Sequence, residues 1–119
     1  LVCHHGSCHC GAVRFTMRAP PDMNAIECNC SFCEKQGKTP HLVVPAHCLD
    51  FEGGVDALSR YSFGSNVGKH MFCATCGVEV LRLPRMNPHA YSVNMSTVSM
   101  DTVRSLHLHT FNGANYDAA

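Results

Sequence analysis

Cys8-His9-Cys10-Gly11-Ala12-Val13-Arg14-Phe15-Thr16-Met17-Arg18 decides the fold. It opens with two thiols one residue apart and a glycine that can turn the chain. It then alternates, with Val13, Phe15 and Met17 on one side and Arg14, Thr16 and Arg18 on the other. Strict alternation is the mark of a strand with one buried face. A pair of soft ligands at the mouth of a strand points to a small β protein stapled by metal.

Two further clusters follow: Cys28-Asn29-Cys30-Ser31-Phe32-Cys33 and Cys73-Ala74-Thr75-Cys76-Gly77. Cys sulfur binds zinc at about 2.3 Å, and a short turn can offer two sulfurs at once. Cys73-x-x-Cys76-Gly77 reads as a knuckle whose glycine supplies positive φ. Paired with Cys8 and Cys10, it would fill one tetrahedral site and tie the start of the chain to a late hairpin. A thioredoxin-type redox pair is the alternative for Cys73 and Cys76, but such a pair precedes a long helix and here a β-rich segment follows. Cys28, Cys30 and Cys33 are left over, and their spacing keeps two readings open. A fourth ligand from Cys3, Cys48 or a histidine such as His41 or His70 would make a closed, structural site. An open fourth position would make a catalytic one, able to take an external thiol or polarise a carbonyl.

The bulk numbers exclude other classes. The chain has 119 residues, enough for a single domain over 1–119. Charged residues are only 15%, so bound metal is expected to supply part of the stability. Lys plus Arg equals Asp plus Glu, and seven thiolates around two divalent ions would leave the loaded chain net negative. No nucleic acid is expected as a partner. No apolar run approaches a membrane span. Nine cysteines, an odd number with seven of them in tight clusters, oppose a disulfide scaffold. With no signal peptide to be read, the expected location is intracellular, in cytoplasm or nucleus.

Along the chain, short strands are expected over 24–27, 41–44, around Phe51, and over 58–63, 78–83, 91–95 and 106–111, while Lys69 to Phe72 feeds the third cluster. A turn of helix is expected over Glu34–Lys38, closed by Gly37, another turn over 46–49, and one capped by Asp101. Residues 64–68 read as a loop. His4 and His5 read as a solvent-exposed terminus, and Cys3 and Cys48 as small buried side chains. His9 is expected to point outward, Lys35 and Lys38 either to anchor a carboxylate or to lie in a solvated loop, and Met86, Met95 and Met100 to fill core.

Taken together, Gly6-Ser7-Cys8-His9-Cys10-Gly11-Ala12-Val13-Arg14-Phe15, Cys28-Asn29-Cys30-Ser31-Phe32-Cys33-x-Lys35 and Phe72-Cys73-Ala74-Thr75-Cys76-Gly77 resemble the glutathione-dependent formaldehyde-activating enzyme family, also called the Gfa or centromere-protein-V domain. Phe111-Asn112-Gly113 looks more like the centromere-protein-V branch. The resemblance implies a mostly β, Mss4-like (β-tent) arrangement of packed antiparallel sheets. It implies two zinc ions: a structural one on Cys8, Cys10, Cys73 and Cys76, and a second on Cys28, Cys30 and Cys33, where the thiol of glutathione acts. It implies carbon–sulfur lyase activity on a thiol–aldehyde adduct such as S-hydroxymethylglutathione, with glutathione and formaldehyde as partners. The chromosome-associated member carries a long basic extension that these residues do not contain, so chromatin binding is not carried over. A zinc-stabilised module that binds a protein or thiol without turnover is the alternative.

Overall fold

The computed structural model describes residues 1–62, 69–83 and 89–111. The expected loop at 64–68, Met86 and the Asn112-Gly113 pair lie outside them. Among the described residues ten strands dominate: β1 (Val2–Ser7), β2 (Arg14–Ala19), β3 (Asp22–Cys28), β4 (His41–Pro45), β5 (Leu49–Gly53), β6 (Leu58–Tyr61), β7 (Lys69–Cys73), β8 (Glu79–Leu83), β9 (Ala90–Asn94) and β10 (Ser105–Phe111). A short helix, α1 (Ser31–Gln36), interrupts them, along with single 3₁₀ turns.

The alternation read from β2 is realised. Phe15, Met17 and Ala19 are buried while Arg14 and Arg18 face solvent. β2 is the middle of a three-stranded antiparallel sheet ordered β1-β2-β5. Gly6 lies opposite Phe15, and a Cβ there would meet Phe15 Cζ at 2.2 Å, so the ring occupies the space a side chain would need. The remaining strands form a seven-stranded sheet ordered β10-β3-β4-β9-β8-β7-β6. All its pairs are antiparallel except β10 with β3. Val13, Phe15 and Met17 share one apolar cluster with Met23 and Ala25 of β3, Val80 and Leu81 of β8, and Val93 of β9. Glu79, Val80 and Leu81 are consecutive and all buried, so β8 is covered on both faces. A fully buried side chain of this size contributes about 1.5–3 kcal/mol.

Several expectations are corrected. β1 is a strand rather than a loose terminus. His4 is fully buried in it, with Nδ1 2.6 Å from Thr102 Oγ1 and Nε2 3.1 Å from the Ala19 carbonyl. Cys3, next to it in an extended chain, points the other way and is exposed. Cys48 is buried as expected, and so is Met95, but Met100 is exposed. Ser99, not Asp101, caps the turn at Met100–Thr102. The helix begins three residues earlier than read, because Cys30 caps it.

Candidate functional site

Two turns of the same kind carry the first cysteine group. At the β1–β2 connection, Cys8 N–H donates to the Val13 carbonyl at 3.0 Å, and Gly11 turns the chain with φ 80°. At the β7–β8 connection, Cys73 N–H donates to the Val78 carbonyl at 3.0 Å, and Gly77 turns the chain with φ 81°. One hairpin belongs to the small sheet and one to the large sheet, and their tips meet. Cys8 Sγ is 3.6 Å from Cys10 Sγ, which is 3.7 Å from Cys73 Sγ. With Cys76 the four sulfurs all lie within 4.8 Å of one another. A regular tetrahedron with metal–sulfur arms of about 2.3 Å has edges of about 3.8 Å. The donor set and its spacing therefore fit one tetrahedral metal ion. Backbone amides add to that fit, since Val13 N–H donates to Cys8 Sγ at 3.3 Å. The Cys76 thiol is pulled down to about 6, first by the Val78 amide.

Cys28, Cys30 and Cys33 form the second group, again within 4.8 Å of one another, and among the described residues it has only these three members. β3 delivers Cys28 at its end, and the chain turns into α1. Cys30 caps that helix, its sulfur accepting from Cys33 N–H at 3.4 Å. Gly37, with φ 108°, closes the helix, its N–H bonding the Cys33 carbonyl at 3.0 Å. Cap and stop thus hold two of the three sulfurs in place within six residues of helix. The third thiol, Cys28, is pulled down to about 5, first by a hydrogen bond with Cys33, while that bond and burial push Cys33 up.

None of the four residues considered as a fourth ligand converges on this group among the described residues. His41 and His70 are instead bound to Glu79, which the sequence reading did not single out. Glu79 Oε1 lies 3.0 Å from His41 Nε2 and Oε2 lies 2.8 Å from His70 Nδ1. Gln36 Nε2 donates to Oε1 at 3.1 Å, and Asn94 Nδ2 donates to the Glu79 carbonyl at 2.7 Å. Burial pushes the Glu79 carboxyl up, but the two histidines and the Arg82 charge outweigh it and hold the group well below the usual carboxylate range. Arg82, three residues on, links this network to the cysteines: Nη1 donates to Cys33 Sγ at 3.1 Å. Three thiolates around a divalent ion would leave one negative charge, and Arg82 places a cation against it. The signal for this pair lay in the sequence as a Glu and an Arg inside the apolar run Val78–Leu83. Charges in a strand covered on both faces must find partners.

An open groove of about 960 Å³ lies beside the cluster. Its lining includes Ser31 and Phe32, from the segment between Cys30 and Cys33, and Gly77, Val78 and Glu79. Phe32 stacks on His70, ring centroids 4.0 Å apart and planes at 13°, and on Tyr61 at 5.5 Å. Lys35 and Arg60 bring positive charge to its lining. His9 is exposed as expected, and Lys38 is exposed and paired with Glu34 at 3.1 Å.

Known proteins are similar to this chain. A crystal structure of a Rhodobacter sphaeroides protein superposes with a TM-score of 0.74 at 31% identity, covering 88% of this chain and 99% of that chain. A Halomonas elongata protein named "Putative glutathione-dependent formaldehyde-activating enzyme" is 32% identical over 84 residues, which is 60% of this chain and 50% of the relative. The chain thus spans about half the length of this curated relative. The family model for the glutathione-dependent formaldehyde-activating enzyme matches residues 3–112, which take in all seven clustered cysteines. With nearly its whole length covered by that match, the chain belongs to the glutathione-dependent formaldehyde-activating enzyme family.

Proposed function

We propose that this protein is a zinc-dependent carbon–sulfur lyase acting on a thiol–aldehyde adduct such as S-hydroxymethylglutathione. The observation that carries the reading is the three-thiol cluster with an arginine at its side and no fourth ligand among the described residues. Cys8, Cys10, Cys73 and Cys76 would hold a structural zinc between the two sheets, completing an Mss4-like fold over 1–119. Cys28, Cys30 and Cys33 would hold a second zinc, which supplies Lewis acidity and favours thiolate over thiol in an external sulfur ligand.

The chain's own residues set the stage for that chemistry. Arg82 balances the charge of the thiolates. Phe32 and Val78 would offer a bound adduct apolar contact, and Lys35 and Arg60 would offer cations to the carboxylates of a glutathione-like peptide. The free state of all nine cysteines agrees with an intracellular, reducing location.

Thiols add to formaldehyde unaided, so the test compares rates. Exchange between glutathione, formaldehyde and their adduct is followed by NMR with native protein, with Cys30→Ser and with buffer. Native protein is expected to exceed both. Equal rates for native protein and Cys30→Ser would remove the lyase reading and leave a thiol-binding module.

A further inference from the structure

The groove beside the three-thiol group carries an imbalance of charge. Glu79 is the one acid in its described lining, and that carboxylate is already bound to Gln36, His41 and His70 at 3.1, 3.0 and 2.8 Å. Lys35 and Arg60 line the same groove from exposed positions, and no described residue forms a hydrogen bond or ion pair with either. The unspent charge of the groove is therefore positive.

The lining is also aromatic. Phe32, Tyr61, Phe72 and Val78 all belong to it. Rings and cations come from the same two elements: α1 carries Phe32 and Lys35, and β6 carries Arg60 and Tyr61. Those elements meet through their rings, Phe32 and Tyr61 having centroids 5.5 Å apart. The volume of about 960 Å³ lies within the range of small-molecule sites.

We propose that this groove is a binding site for a small aromatic carboxylate, with its rings against the aromatic lining and its head on Arg60 and Lys35. The guanidinium fork matches a carboxylate, and aromatic pairs gain more than their buried area alone supplies. Glutathione has carboxylates but no aromatic ring, so it would use the two cations and leave the aromatic lining unmatched. An aromatic acid uses both. No cysteine lies in the described lining, so the groove is assigned recognition and no bond-making step. The site is independent of the lyase reading, since it needs neither turnover nor a ligand on the thiols.

The experiment uses the whole metal-loaded chain without glutathione, with 2-naphthoate as the probe. Calorimetry compares it with 2-naphthamide, which lacks the charge, and with decahydro-2-naphthoate, which lacks the aromatic rings. One 2-naphthoate per chain is expected to bind saturably, and each companion about 3-fold or more weaker. In the double variant Lys35→Gln, Arg60→Gln, affinity for 2-naphthoate should fall about 10-fold while that for 2-naphthamide stays unchanged. Both replaced side chains are exposed, so metal content and thermal melt should match native protein. Should the double variant lose metal, Arg60→Gln alone decides. Nuclear Overhauser contacts from the probe should reach Phe72 and Val78. Lack of saturable binding, a companion that binds as tightly as 2-naphthoate, native affinity in the deciding variant, or Overhauser contacts only outside the groove overturns the proposal. No arm reads turnover, so failure here leaves the lyase reading standing, and a protein without turnover would leave this site standing.

Discussion

Cys30 has two duties at once, since its sulfur caps α1 and belongs to the three-thiol group. Serine is a good helix cap but a poor soft-metal ligand. Cys30→Ser should therefore lose one of two bound ions while changing stability by only about 1 kcal/mol or less. Cys73 is different: it is completely buried where the two hairpins meet. Cys73→Ser should lose the other ion and unfold the protein, because the affinity of a structural site is itself folding free energy. Metal analysis and thermal melts on the two variants check both outcomes. At this scale the sequence was informative wherever function is written in local spacing. All seven clustered cysteines converge as their positions indicated. It was uninformative where a side chain finds its partner across the fold. Nothing near His4 announces Thr102, 98 positions away, and nothing near His70 announces that its carboxylate comes from the neighbouring strand.

The elements show the same division. β2 was legible because its burial follows period two, and Gly37 marked the end of α1 because a glycine stop is a local signal. The start of α1 was misplaced because a cysteine is not an ordinary cap. β10 was legible as a strand over 106–111, but its direction was not readable. It runs parallel to β3 and pairs in register from Ser105 with Asp22 to Phe111 with Cys28. Its first residues are pinned by Asp22, whose Oδ1 accepts from Arg104 Nε at 2.9 Å and from Ser105 Oγ at 2.8 Å. These bonds, Arg104's first, pull the Asp22 carboxyl from 3.8 down to about 2. A depressed carboxylate stabilises the fold above its unfolded pKa and loses that effect as pH falls through the folded one. The stability gap between native protein and Asp22→Asn should hence be constant above pH 3.8 and close as pH approaches about 2. Denaturant melts across that range, at low and high salt, measure it; the pair is exposed, so salt should narrow the gap.

For the molecule as a whole, no helix among the described residues is long and apolar enough to cross a membrane. Two sheets share a core to which β2, β3, β8 and β9 all contribute, and the four-cysteine group stands where their hairpins touch. The mostly β class followed from short alternating runs, whereas the split into three and seven strands depends on pairings between remote segments and had no local trace. A strong chelator should consequently act in two stages. The three-thiol group, with fewer donors, should empty first with little change in circular dichroism. The four-cysteine group should follow, with loss of the folded signal. Simultaneous release and unfolding would mean that both centres hold the sheets together.

The two groups also differ in how much chain each must wait for. Cys28 to Cys33 is complete within six consecutive positions, but Cys8 and Cys10 have no partners until Cys76 has been made. During synthesis on a ribosome, the later-numbered triad is thus the first to be assembled. The earliest cysteines stay bare through most of translation, and their exposure to oxidants in that interval is set by elongation speed.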